Sequence, residues 1–228
     1  MLAVLYDVHG NLPALEAVLS DADRAGADRF VLGGDYALFG PWPAETVDRL
    51  GQLDATWIRG NGERWTASPW EAPDDELVQG AISASRRELG DAVVEQLAAL
   101  PEGHVSDQAR YCHGSPPSDV RSFFPEPADD EAELLRGVHD ERLVFGHTHL
   151  QFCRRSAERG IELVNPGSVG MPFDGDPRAG YALIADDGEV ELRRVGYDHA
   201  ASASAVRERF LDFGDTVARR IERASFAV

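Results

Sequence analysis

The chain reads as an α/β protein built from two facing sheets with helices outside both. Two observations predict this. Its first 60 residues alternate short apolar runs with amphipathic segments, the rhythm of parallel strands joined by right-handed crossovers. The second half instead carries seven short apolar segments, some separated by turns such as Asp186-Asp187-Gly188, enough for a second sheet.

Taken in order, residues 2–6 form a first buried strand. Asn11 is placed to cap a helix with Pro13 in its first turn. Leu12, Leu15, Val18 and Leu19 give that helix an apolar face, and Gly26 closes it. A strand at 30–32, a helix at 44–50 and a strand at 55–59 follow. Residues 63–100 break the rhythm as a helical insertion. There 65–70 reads as a loop that could wall a pocket with Trp65 and Trp70, before helices at 75–89 and 91–100. Strands are expected at 102–106, 109–113, 142–146, 150–156, 161–164, 180–185 and 188–195, with a helix at 128–137. The tail, 198–228, is helical, with Val206, Phe210, Phe213, Val217 and Ile221 in one stripe. Packing against the body is the default for that stripe, and a homo-oligomer contact through the terminal helix is the alternative. All 228 residues fit one domain.

Bulk composition narrows the partners. A formal charge of -18 disfavours nucleic acid and anionic membranes, which would be repelled at long range. Every one of the 22 basic residues is arginine. Cys112 and Cys153 sit in expected strands outside any C-x-x-C pair, which suits buried free thiols in a reducing compartment. The amino terminus reads as a strand, not a signal peptide, and no apolar run approaches membrane-spanning length. A soluble, cytoplasmic protein is expected.

Five short blocks carry the chemistry: Asp7-Val8-His9, Gly33-Gly34-Asp35, Gly60-Asn61, His113-Gly114 and Gly146-His147-Thr148-His149. Most follow an apolar run, so they fall at strand ends, the rim where open α/β sheets bind ligands. On a regular strand, Asp7 and His9 would face one side, as would His147 and His149. Seven mixed carboxylate, imidazole and amide donors describe a site for two divalent ions. Asp35 is the natural bridge, because its two oxygens can serve both. One ion would take Asp7, His9, Asp35 and His149; the other Asp35, Asn61, His113 and His147. Such N and O donors suit manganese, iron, zinc or nickel better than magnesium or calcium. Two ions against two carboxylates and one hydroxide leave a locally positive pocket, suited to a small phosphoester substrate.

These blocks resemble the pattern D-x-H, G-D, G-N-H-[DE], H and G-H-x-H of the calcineurin-like metallophosphoesterases. The likeness extends to residues 7–16, to Phe39-Gly40-Pro41-Trp42-Pro43 and to Asn165-Pro166-Gly167-Ser168-Val169-Gly170, which look like the small bacterial and archaeal phosphodiesterase-like branch. It covers about residues 1–197. The resemblance implies a four-layer αββα sandwich of two mixed sheets, two metal ions, and in-line attack on phosphorus by a metal-bridging hydroxide. Asn61 would ligate a metal and donate to a phosphoryl oxygen, with Asp35 as the shared catalytic carboxylate. Arg59, Arg64 and Arg178 are candidate substrate-binding clamps. Alternatives are a protein Ser/Thr phosphatase or nucleotide pyrophosphohydrolase of the same superfamily, or a metal-binding scaffold with little activity.

One departure stands out. The family pattern has a histidine after the asparagine, and this chain has Gly62. Losing a positioned acid costs about 10²–10⁴-fold in rate. Expected consequences are a substrate whose leaving group needs little protonation, a proton supplied by a metal-bound water, His104 or His139, or feeble catalysis. Gly62→His would then help poor leaving groups most. Tyr36, Phe39, Trp42, Phe123, Phe124 and Phe173 are candidates for an aromatic pocket.

Overall fold

In the computed structural model, which describes residues 1–106 and 109–228, two five-stranded sheets face each other. Strand β1 (Leu2–Leu5) pairs in parallel with β2 (Arg29–Leu32), and β2 with β3 (Ala55–Trp57). On its other side β1 pairs antiparallel with β9 (Ala179–Ile184), which carries β10 (Val190–Val195). The second sheet runs β4 (Gly103–Ser106), β5 (Ala109–Cys112), β6 (Arg142–Val144), β8 (Glu162–Pro166), β7 (Gln151–Arg155). Here β5, β6 and β8 are parallel and both edge strands are antiparallel, so both sheets are mixed.

Strand alternation assigns the layers. Val4 of β1 and Tyr6 just after it enter the inter-sheet core with Val31, Tyr111, Val144 and Val164. Ala3 and Leu5 face outward onto Leu15 and Val18 of helix α1 (Leu12–Arg24). Leu50 of α2 (Pro43–Leu50) and Leu97 of α4 (Glu76–Ala98) extend that outer layer. Beyond the second sheet, Phe123, Leu134, Leu135 and Val138 cover Leu143, Phe145 and Leu163. The result is the four-layer αββα sandwich.

Several elements differ from the sequence expectation. Residues 65–70 are not one loop: helix α3 spans Asn61–Ala67, and Pro69–Glu71 is a short 3-10 turn. Glu63 makes this helix possible by accepting the otherwise unpaired Gly60 N–H at 2.7 Å. The two expected insertion helices form α4 and meet at Gly90, whose φ of 74° breaks the helix locally. The helix expected over 128–137 is a single turn, α5 (Glu131–Leu134), after which the chain turns through Gly137. The tail is a hairpin of α6 (His199–Arg209) and α7 (Gly214–Arg223), not one helix. Its stripe residues Val206, Phe210, Val217 and Ile221 are buried against Ala84 and Met171 of the same chain. Cys112 is buried, but Cys153 is exposed, because β7 is an edge strand with one face uncovered.

Candidate metal centre

The loops that leave β1, β2, β3, β5 and β6 converge at one rim, and none of the candidate ligands lies on a strand. Asp7, His9, Asp35, His147 and His149 instead occupy the left-handed region, with φ between 49° and 67°. The same-face geometry expected of a regular strand is therefore wrong. These side chains converge because the backbone curls at each of them. That conformation costs an L-residue about 1–2 kcal/mol and persists only where the surroundings impose it.

Inter-loop bonds supply that constraint. The N–H groups of Asp7 and His9 donate to Gly34 O and Asp35 O at 3.1 and 2.9 Å, so the loop after β1 continues pairing with the loop after β2. Gly34, at φ 99°, lies so close to the next loop that a Cβ would meet Gly60 N at 2.6 Å. The Asn165-to-Gly170 segment braces the site from beneath. Ser168 Oγ donates to Asp7 O (2.7 Å), and Asn165 Nδ2 donates to Thr148 Oγ1 (2.9 Å).

Three imidazoles are fixed in tautomer. Nδ1 of His9, His113 and His149 lies 2.9, 2.9 and 2.5 Å from the backbone carbonyls of Leu38, Gly33 and Met171. A carbonyl can only accept, so each Nδ1 carries the proton and each Nε2 presents its lone pair inward. Nε2 of His149, His9 and His113 stands 3.4, 3.9 and 3.9 Å from Asp7 Oδ1. Asp35 lies between two of them, with Oδ2 3.9 Å from His9 Nε2 and Oδ1 3.5 Å from His113 Nε2. Two overlapping groups result: Asp7, His9 and His149, and Asp7, Asp35 and His113. Asn61 joins through Oδ1, 3.0 Å from His113 Nε2. His147 borders the cluster, its ring edge-on to His113 and its N–H on Asp7 Oδ2 at 3.0 Å.

The arrangement fits cations. His9 and His149 meet Nε2 to Nε2 at 3.1 Å, two lone pairs facing each other, a contact that a shared positive charge would make favourable. Asp7 Oδ1 is buried and accepts no hydrogen bond among the described residues. Electrostatics agree. Burial, reinforced by Glu63 and Asp7, pushes Asp35 up to about 7 despite His113. Burial would raise Asp7 too, but the neighbouring imidazoles, His149 first, hold it well below the carboxylate range. Burial and then His149 depress His9 to about 3; burial and then His113 depress His147 to about 4. Divalent ions would answer both the crowded carboxylates and the inward lone pairs.

A residue the sequence reading missed organises the centre. Glu63 is buried, and its carboxylate accepts from Gly60 N, Asp35 N and Tyr36 N at 2.7, 2.9 and 2.8 Å. It thereby ties the Asp35 loop to the start of α3, where Asn61 lies. An acidic residue three positions after a helix start was the available signal.

The candidate arginines are placed differently. Arg64 is clamped by Asp119 (2.7 and 2.8 Å) and Glu71 (2.8 Å), and Arg59 pairs with Glu102 at 2.5 Å. Both line a smaller cavity that His113 also borders, while exposed Arg178 is held by Asp176. The large cleft above the cluster, about 1020 Å³, is lined instead by Arg121 and Arg220. Phe39, Trp65, Phe124 and Phe173 contribute aromatic surface to it. Tyr36 and Phe123 belong to the core, Trp42 lines a separate depression, and Trp70 is 80% exposed, outside the cleft. His104 lies on β4 and His139 lines a different pocket, so neither borders the cleft as the missing acid.

Comparison with known proteins decides the family. The model of the calcineurin-like phosphoesterase superfamily domain matches residues 1–189. The chain belongs to that superfamily. A metallophosphoesterase from Sphaerobacter thermophilus superposes with a TM-score of 0.83 at 27% identity, covering 98% of both chains. The phosphodiesterase YfcE of Escherichia coli is 29% identical across 79% of this chain and 85% of its own. An uncharacterized protein of Methanocaldococcus jannaschii, MJ0912, is 28% identical across 87% and 88%. Membership in this superfamily supports a hydrolase of phosphoric esters. Among the described residues no helix is long and apolar enough to cross a membrane.

Proposed function

We propose that this superfamily member is a dinuclear-metal phosphodiesterase. The observation that carries the reading is the set of three imidazoles whose Nδ1 protons are committed to backbone carbonyls, leaving their Nε2 atoms aimed at two buried carboxylates. Asp7, His9, Asp35 and His149 would hold one ion; Asp35, Asn61, His113 and His147 the other. When bound, the ions would activate a water and neutralise charge on the phosphoryl group. The chain's own residues do the positioning. Asp35 divides its two oxygens between the two halves, and the Gly62 N–H fixes one of them at 2.7 Å. Asn61 lines the cleft, and its amide would donate to a phosphoryl oxygen as negative charge builds.

Leaving-group chemistry follows from Gly62. A Cβ there would meet Asp35 Oδ1 at 2.8 Å and Cγ at 3.1 Å, so the backbone approach itself occupies the space of a side chain. With no acid at this position, we expect substrates whose leaving group departs as an anion, such as an aryl oxide or a phosphate. With manganese or nickel supplied, an aryl phosphodiester should be cleaved faster than an alkyl phosphomonoester. Equal rates on both would contradict this reading.

A further inference from the structure

The cleft wall furthest along the chain lies beyond the part that matches the family model, which ends at residue 189. Thr216 and Arg220 of α7, with Phe226 after it, line the same cleft as His9, Asp35, Asn61, His147 and His149. The hairpin is firmly seated there. Ser202 Oγ of α6 donates to Asn11 Oδ1 (3.0 Å), Arg209 pairs with Glu88 (2.8 Å), and Gly175 N–H donates to Ala224 O (2.9 Å). Ala224, at φ 46°, turns the chain back toward the cleft. A run of ring contacts then leads away from the cluster. His149 stacks on Phe173 at 4.3 Å, Phe173 meets Phe226 edge-on at 5.5 Å, and the Arg220 guanidinium lies 4.3 Å over the Phe226 ring.

Two features of this wall call for a ligand. Phe226, Phe124 and Val120 are exposed large hydrophobics, and all three line this one cleft, as an apolar binding mouth would require. The second is Arg220. In an acidic chain whose cleft arginine Arg121 is held by Asp130 and Glu133, Arg220 has no carboxylate within ion-pair distance among the described residues. Its Nε donates only to Phe226 O, at 3.3 Å. Asp75 also lines the cleft, but its Oδ1 caps α4 through the Val78 N–H. A half-buried guanidinium that no carboxylate clamps, with Asp75 as a charge beyond ion-pair distance, stands at the far end of an aromatic wall and is suited to take an anion from outside.

We infer that the C-terminal hairpin is a substrate-binding element: an aromatic group of the substrate packs against Phe173 and Phe226, and Arg220 binds a second anionic group remote from the scissile phosphate. The substrate class is then a phosphoester carrying both an aromatic ring and a further negative charge. This rests on the phosphodiesterase reading for the position of the scissile phosphate.

Binding of aryl phosphonates, which have no ester to cleave, tests it by calorimetry on the manganese-loaded protein. Phenylphosphonate is compared with 4-carboxyphenylphosphonate, and biphenyl-4-ylphosphonate with its 4′-carboxylated form, so that two spans are sampled. In the wild type the carboxylate should tighten binding roughly tenfold in at least one pair. Arg220→Gln should erase that advantage and Arg220→Lys should keep part of it. Phe226→Ala, at an exposed position that leaves folding intact, should weaken both members of a pair alike. No carboxylate advantage in the wild type, an advantage that survives Arg220→Gln, or no phosphonate binding at all would overturn the inference. Turnover is read separately. An Arg220-dependent advantage without diester hydrolysis would sink the phosphodiesterase reading alone, and hydrolysis without the advantage would sink this inference alone.

Discussion

Gly62 and Asp35 are in direct contact: the glycine N–H donates to Asp35 Oδ1 at 2.7 Å, and a Cβ on the glycine would come within 2.8 Å of that oxygen. Read from sequence, Gly62 was a missing acid that a histidine could restore. In the fold it is the surface against which a candidate bridging carboxylate is set. Gly62→Ala should therefore shift Asp35 and weaken manganese binding by about tenfold, the effect of disturbing a ligand's supporting contacts. Calorimetric titration measures it. Gly62→His should carry the same defect, and a selective gain on alkyl esters would show that the contact yields easily.

Glu63 makes a second, independent prediction. Its carboxylate accepts three backbone N–H groups from two site loops while buried. Glu63→Gln keeps the shape but turns an NH₂ group toward at least one of those donors. A loss of about 1–3 kcal/mol in urea unfolding is expected. A change within 0.5 kcal/mol, roughly the scatter of surface substitutions, would contradict the bracing role.

Arg64 and Asp119 give a pH dependence. Burial alone would raise Asp119, but the Arg64 hydrogen bonds outweigh it and hold the carboxyl below its usual value. A carboxyl depressed in the folded state contributes stability that is complete above its unfolded value, about 3.9, and is lost as pH falls through the folded one. The pair is partly exposed and solvent-screened, so about 1 kcal/mol is at stake. Asp119→Asn should cost that amount at pH 7 and progressively less as pH falls below the unfolded value and through the folded one. Unfolding midpoints across this window would settle the sign.

Metal removal should register as lost stability. An ion that binds only the folded state stabilises by about 2.7 kcal/mol at a hundred times its Kd. Chelation should accordingly lower Tm by roughly 5–10 °C in a chain of this size. In His149→Ala, where one imidazole of the cluster is gone, the chelation shift should shrink. An unchanged Tm on chelation of wild type would argue that no ion is held by the folded protein.

Much of this was legible in the sequence, for local reasons. The β1 run and the Asn11 cap, with Pro13 in the first turn, are short-range signals that survive folding. The order of ligand blocks after strands pointed to the rim where the candidate ligands gather. What was hidden depends on contacts between distant segments. Left-handed backbone at Asp7 and His9 is imposed by pairing with the Gly34–Tyr36 loop, which no local pattern encodes. Helix α3 looked like a turn because Gly60-Asn61-Gly62 is glycine-rich, whereas its stability comes from Glu63 reaching across to Asp35. The cleft arginines could not be chosen by sequence proximity. Arg59 and Arg64 flank Asn61 yet are taken up by carboxylates, while Arg220 arrives from the far end of the chain.

The central claim is two-ion hydrolysis of a phosphodiester, and turnover of bis(p-nitrophenyl) phosphate titrated against manganese tests it most directly. Starting from chelated protein, the rate should stay near zero through the first equivalent and rise to a plateau as the second binds. A plateau at one equivalent would contradict the dinuclear assignment. No turnover with two equivalents bound to folded protein would contradict the function.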